Sequence, residues 1–343
     1  MIGHIAAAEG APCPTLVLDS RQLPQEHNAL LDVLAHVRPQ LAAAGHPDVL
    51  KIALLAPAAH PMFDLTYRFV QCIPGRRGDA FDLVGSCGHS IVAATFVANR
   101  LGWIPQLAPS HRVRVHVENN ADTVVCEVDE LHRSGGNVTV HFLEEPDADP
   151  ASFLPTGAML DTLRVGSTLH RVSLVSMGNP YVFVRARELG VTSKDQLFAD
   201  DPELFQALVD IRAAAATRWG FPATSVFPKI AAVDHFTAGH VTVRAMSVPK
   251  WHPTLALTGA TCLAVASVIQ GTVAHEVAQE AGCGTGSVAM ETPDGVVVGR
   301  PALIGPSDNP RLAWISVSGK RASYLQPISL DLVLNDTIKE VAA

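Results

Sequence analysis

A chain of 343 residues with 48% hydrophobic and 17% charged residues carries enough apolar material for a large core, and its length suits two domains better than one. A formal net charge of −8, without clustered Lys and Arg, argues against nucleic-acid or membrane-surface binding but allows a small anion held by a few local donors. No apolar run approaches the ~20 residues of a membrane helix, and the start "MIGHIAAAEGAPCP" lacks the basic segment of a secretory signal, so a cytoplasmic location is expected.

In chain order, "PTLVLDS" (14–20) reads as a strand, and Leu30, Leu31, Leu34, Val37 and Leu41 mark one face of a helix that stops near Gly45. Three strand-like runs follow, "LKIALLAP" (50–57), "DLTYRFVQCI" (64–73) and "AFDLVG" (80–85), separated by Pro and Gly. After Cys87 comes a helix whose residues Ile91, Val92, Ala93, Ala94, Phe96, Val97 and Ala98 leave almost no polar face, which predicts a helix enclosed by sheet. "HRVRVHVE", "TVVCEVDE" and "NVTVHFLE" are successive strands, and "EEPDADPASFLPTG" (144–157) is expected to be a turn-rich connector. The six cysteines, at 13, 72, 87, 126, 262 and 283, form no CxxC pair or zinc-like spacing, and the 15 histidines form no HExxH. Most of the thiols are expected to be small buried hydrophobes, and no metal is expected.

The second half repeats the order of the first. "PKIAAVDH" (228–235) echoes "LKIALLAP", "HVTVRAMSV" (240–248) echoes "DLTYRFVQCI", and "LALTGATCLAVASVIQG" (255–271) echoes "LVGSCGHSIVAATFVAN". This pairing sets Lys229 against Lys51, and Thr258-Gly259-Ala260-Thr261 against Cys87-Gly88-His89-Ser90. Each half then opens a buried apolar helix from a loop of small residues. The first turn of a helix leaves four N–H groups without intrahelical partners, and the helix dipole adds partial positive charge, so a carboxylate is held there without arginine. The same field lowers the pKa of a thiol, which makes Cys87 a candidate acid or base.

These stretches, together with "VSMGNPYVFVRARELGV" (175–191) and "MSVPKWHPTLALTGATCLAVASVIQGTVAHEV" (246–277), resemble the PrpF-like isomerases of the diaminopimelate-epimerase and PhzF superfamily, from about Lys51 to Tyr324. The resemblance implies an α+β fold of two similar half-barrel domains, each wrapping a central helix, with the active site in the cleft between them. The corresponding spans are 1–167, 168–324 and a C-terminal strand, 325–343, returning to the first domain. It also implies cofactor-free proton transfer beside a carboxylate, a 1,3-shift of a double bond or a cis/trans isomerisation. Lys51 matches the family's proton-transferring lysine, Cys87 its cleft cysteine, Asn179 its substrate-contacting asparagine, and His252 a histidine of the second half. With Gly88, His89 and Ser90 after Cys87, and Thr258, Gly259 and Ala260 in the second half, these complete the expected site. The expected partner is a small unsaturated carboxylate, bound by a monomer or homodimer.

Departures from the family pattern bear on the substrate. The usual Arg-Gly-Gly-Thr-Ser-Lys-Gly segment reads "AAAEGAPCP" (6–14), the run before the lysine reads "AGHPDVL" (44–50), and the usual His-Pro-Ser-Gly reads "ETPDG" (291–295). Fewer positive donors imply a substrate with fewer carboxylates, or lost catalysis. Plainer readings stand beside the functional ones: Cys87 as a filler at a tight junction, Lys51 as a surface lysine opening a strand, Asn179 as a turn residue before Pro180, His252 as structural, His89 as a helix cap. "AGCGTGS" (281–287) resembles the second cysteine loop of two-thiol epimerases, but the "SVAMETPDGVVVG" behind it predicts strand, turn and strand instead of a long helix. Three readings therefore compete: an isomerase using Lys51 and Cys87, a two-thiol racemase using Cys87 and Cys283, and a non-catalytic binding protein of the same fold.

Overall fold

The computed structural model describes residues 1–73, 75, 80–222, 225, 227–247, 250–284, 286–306 and 310–332. Its first ten elements are β1 (Ile2–Ala8), β2 (Thr15–Asp19), α1 (His27–Ala43), β3 (Lys51–Pro57), β4 (Leu65–Ile73), β5 (Ala80–Asp82), α2 (Gly88–Arg100), β6 (Arg112–Val117), β7 (Asp122–His132) and β8 (Gly135–Ala148). They are followed by β9 (Asp161–Val165), β10 (Thr168–Met177), β11 (Asn179–Arg185), α3 (Lys194–Phe198), α4 (Pro202–Trp219), β12 (Lys229–Thr237), β13 (His240–Ser247) and β14 (Lys250–Trp251). The remainder is α5 (Leu257–Val268), α6 (Val273–Ala281), β15 (Val288–Thr292), β16 (Gly295–Ile304) and β17 (Arg311–Ser329).

Two compact units divide the chain. One holds Met1–Glu9, Cys13–Val138 and the chain from Lys320 onward; the other holds Gly10–Pro12 and Thr139–Gly319. The cuts fall inside β8 and β17, whereas the boundaries expected from the sequence follow residues 167 and 324. Residues 333–343 of the expected C-terminal strand lie outside the described residues.

In the first unit β2 and β3 pair in parallel, Thr15 opposite Lys51, with α1 as the crossover between them. Glu26 starts α1 by accepting from the N–H groups of Asn28 and Ala29 at 2.9 and 2.7 Å. The stripe Leu30, Val33, Leu34, Val37 and Leu41 packs on Leu16, Leu18, Ile52 and Leu54 of the two strands. Each such side chain contributes roughly 1.5–3 kcal/mol on full burial. Because β3 is covered by α1 and also meets α2, six of its seven residues are buried, which explains a near-continuous apolar run in place of alternation.

The second unit repeats these pairings. Strands β11 and β12 are parallel across α3 and α4, Tyr181 opposite Lys229, as β2 and β3 are across α1. Antiparallel β3–β4 is matched by β12–β13, and parallel β4–β6 by β13–β15. Helices α2 and α5 occupy the same place, each in the crossover between two parallel strands. Both are buried over most of their length, Gly88 to Ala98 and Leu257 to Ala266, as the missing polar face of α2 predicts.

Local differences from the sequence reading have physical causes. Strand β8 runs to Ala148, into the expected connector, because it finds a ladder partner in β17. Helix α5 breaks at Ile269 and α6 starts anew behind the Thr272 cap, whose hydroxyl accepts from His275 N–H at 3.1 Å. Among the described residues no single helix is long and apolar enough to cross a membrane; α5 and α6 pass that test only as a pair, bent by 77°.

Candidate active site

Cys87 is the N-cap of α2, in extended conformation, and Ile91 N–H closes the first turn on its carbonyl oxygen at 3.0 Å. Two elements of the first unit hold this turn. Tyr67 of β4, fully buried, donates its hydroxyl to the Cys87 carbonyl at 3.2 Å, and Ser90 Oγ lies 2.9 Å from Thr15 Oγ1 of β2. Thr15 is also the ladder partner of Lys51, so one rung of the sheet sets the lysine beside the helix terminus.

Lys51 is only 6% exposed, against the usual fate of lysine. Burial alone pushes the Cys87 thiol up, but the Lys51 ammonium, the Ser90 hydroxyl and N–H, and a hydrogen bond from Lys51 outweigh it, and the net shift is downward. The plain readings of Cys87 as inert filler and Lys51 as a solvent-facing residue are both unfavourable in this setting. The Tyr67 hydroxyl is held far above its ordinary range by burial, reinforced by Cys87, so it stays protonated as a donor. Gly88, His89 and Ser90 form the first turn itself, all buried.

A thiol missed by sequence reasoning belongs to the same cluster. Cys13, half-buried two residues before Thr15, feels the Lys51 charge and the Leu50 N–H; burial, Cys87 and Asp48 act against these and its pKa is raised. The cysteine spacing carries no signal of this, since only the β2–β3 pairing brings Cys13 near Lys51.

In the second unit, Asn179 and the first turn of α5 come together. Asn179 Nδ2 donates to Thr258 Oγ1 at 3.3 Å, and both residues are buried. Helix α5 begins at Leu257 behind Ala256, so Thr258 stands in the first turn, where Cys87 is the cap of α2. Gly259 packs so closely on Tyr181 that an added Cβ would lie 2.6 Å from its Cζ. Ala260 is fully buried behind it. His252, 4% exposed, accepts at Nδ1 from Thr254 N–H, 3.1 Å, a bond that shapes the loop entering α5.

Cys283 sits elsewhere in the fold. It follows α6 past the left-handed Gly282 cap, at the negative end of a helix, and its thiol donates to Gly239 carbonyl oxygen at 3.5 Å. Burial raises its pKa. Strand β15 and strand β16 follow it, as the sequence predicts, and no helix opens there. Among the described residues no group of three or more His, Cys, Asp or Glu could hold a metal ion. Two concavities of about 530 and 450 Å³ lie elsewhere in the first unit, on β6 and beside Trp103, and neither is lined by Lys51 or Cys87.

Comparison with known proteins places the chain in a family. The model of the PrpF protein family matches residues 42–302. The 3-methylitaconate isomerase of Eubacterium barkeri is 24% identical over 303 residues, 77% of each chain. The 4-oxalomesaconate tautomerase of Pseudomonas putida strain KT2440 is 24% identical over 278 residues, 75% of each. A crystal structure of methylitaconate-delta-isomerase superposes with a TM-score of 0.68 at 21% identity, over 96% of this chain and 95% of that one. The chain belongs to the PrpF family and is an isomerase with the α+β fold of the diaminopimelate-epimerase type.

Proposed function

We propose that this isomerase moves a proton within a small unsaturated carboxylic acid, with Lys51 as the base and Cys87 assisting at the α2 N-terminus. The observation that carries the reading is the buried Lys51 beside a thiol whose pKa is lowered at a helix cap. A carboxylate at the N–H groups of α2's first turn places the carbon next to it within reach of the amine. With the ammonium proton first passed to the Cys87 thiolate, Lys51 takes the allylic proton as a neutral amine, the C–H electron pair spreads into the carboxylate as a dienolate, and a proton is returned at the other end of the allyl unit. The double bond shifts by one position and no proton is gained or lost overall. Fixed N–H donors where the negative charge grows are each worth roughly 3 kcal/mol to the transition state. The named activities of the two curated relatives, both on unsaturated acids, support this substrate class.

Asn179, His252 and the turn Thr258-Gly259-Ala260 are proposed as substrate-binding groups by the same reasoning, since α5 also presents a buried N-terminus with a polar pair at its first turn. The reaction is expected to need no cofactor, and the two-thiol reading is disfavoured by the position of Cys283 after a helix. The test is turnover of 3-methylitaconate and related acids in heavy water. Label should enter the newly protonated carbon, more slowly by ~10²-fold or more for Lys51→Ala and Cys87→Ser, while Cys283→Ser stays near wild type. Equal loss in Cys283→Ser would establish the two-thiol mechanism, and exchange indifferent to all three would leave a binding protein.

A further inference from the structure

The mechanism above makes no use of Cys13, although the fold ties it to the same lysine as Cys87. Both thiols belong to the first unit and both are half-buried, whereas Cys72, Cys126 and Cys262 are buried and Cys283 follows α6 in the second unit. Cys13 lies in the bend between Pro12 and Pro14, two residues before Thr15, so its Cα is within ~7 Å of that of Thr15. Thr15 is fixed twice over: its ladder partner is Lys51, and its hydroxyl lies 2.9 Å from Ser90 Oγ in the turn that Cys87 caps. On the neighbouring strand Cys13 meets the N–H of Leu50, the residue before Lys51, while Cys87 accepts from the Lys51 ammonium and from Ser90. The two sulfurs therefore flank one Thr15–Lys51 rung, close enough for the charge of one to act on the other.

We infer that Cys13 is the resolving thiol of Cys87: peroxide oxidises Cys87, and Cys13 then closes a Cys13–Cys87 disulfide that holds the isomerase off until a thiol reductant opens it. The off state rests on the role given to Cys87 above; the pairing of the sulfurs does not. In the first step the Cys87 thiolate attacks one oxygen of hydrogen peroxide, the O–O bond breaks, and the sulfur, two electrons poorer, becomes a sulfenic acid as hydroxide leaves. In the second the Cys13 sulfur attacks the Cys87 sulfur, the S–O bond breaks, and the departing oxygen carries the Cys13 proton away as water. Over both steps two thiols become one disulfide and one peroxide becomes two waters. Charge sets the order. Cys87, whose burial is outweighed by Lys51 and Ser90, ionises first, whereas Cys13 is held neutral by burial and by the Cys87 charge. Once Cys87 is a neutral sulfenic acid that repulsion is gone and the attraction of Lys51 remains, so the first oxidation prepares Cys13 for the second step. The disulfide also spares Cys87 the next oxidation, to a sulfinic acid that thiols do not reduce.

The test treats the full chain with hydrogen peroxide and maps its sulfur by mass spectrometry; trypsin leaves Cys13 and Cys87 on separate peptides, each without another cysteine. Wild type should give a linked Cys13–Cys87 pair that dithiothreitol removes, and Cys283→Ser should give the same pair. In Cys13→Ser the pair is absent, and sulfinic acid at Cys87 should be at least ~10-fold more abundant than in wild type at the same dose. In wild type alone, phenylarsine oxide, which bridges two neighbouring thiols, should protect Cys13 and Cys87 together from alkylation. A Cys87 that stays unlinked, that links to another cysteine, or that reaches sulfinic acid equally in wild type and Cys13→Ser overturns the assignment, as does an arsenical that protects neither thiol. If the linked protein turns over 3-methylitaconate at the untreated rate, the pairing stands, and the off state falls together with the catalytic part given to Cys87.

Discussion

Cys87 shows how a single thiol acquires reactivity from several weak influences. Its sulfur is penalised by burial, and the Lys51 charge with the Ser90 donors reverses the sign. Removing Lys51 removes the largest opposing group and leaves the penalty. In Lys51→Met the pH midpoint of Cys87 alkylation, followed by mass spectrometry so that Cys13 is counted separately, should therefore move up. A midpoint that stays low would mean that the helix terminus alone activates the sulfur. The depressed pKa also links to stability: it stabilises the fold above the unfolded thiol value, and this contribution is lost as pH falls through the folded value. Lys51→Met should lack that pH-dependent part.

The helices illustrate how far local sequence carries. In α2 the unbroken apolar surface is sufficient to predict enclosure by strands, because a helix without a polar face has no stable place at a surface, and the repeat carries the same expectation of burial to α5. In β8 the acidic and proline-containing residues after 143 read as a connector, and the pairing of β8 with β17, far away in sequence, is not legible locally. Lys51 and Cys87 were legible as candidates through the repeat. Cys13 was not, because a strand pairing places it and no motif surrounds it. Close packing gives a prediction at this scale. Gly259→Ala adds helix propensity worth up to ~1 kcal/mol, but its Cβ would sit 2.6–2.8 Å from Tyr181 and Leu255, and Tyr181 is 1% exposed. Overpacking of this kind costs about 1–3 kcal/mol, so steric strain should win. Urea unfolding should show a lower midpoint at an unchanged slope; a midpoint equal to or above wild type would show that Tyr181 moves aside at little cost.

At the scale of the molecule, the division of the chain has consequences for its synthesis. The first unit is not a contiguous half: β1 pairs antiparallel with the end of β17, Ile2 opposite Ser329, and the Met1 amino group donates to Leu330 carbonyl oxygen at 2.9 Å across 329 positions of sequence. A ribosome making this protein therefore exposes β1, with its buried face and its unfilled hydrogen-bonding edge, long before the strand that covers it exists. Such long-range pairing is slow and leaves an aggregation-prone edge open meanwhile. A chain ending at Gly319 should accumulate as insoluble or protease-sensitive material, and a separately supplied peptide of residues 320–332 should restore part of its resistance to proteolysis. Full resistance of the shortened chain without the peptide would show that β1 is adequately protected by β2 alone. Until β17 has been synthesised, then, the nascent enzyme depends on whatever shields β1, and chaperone demand is written into the distance between the two strands.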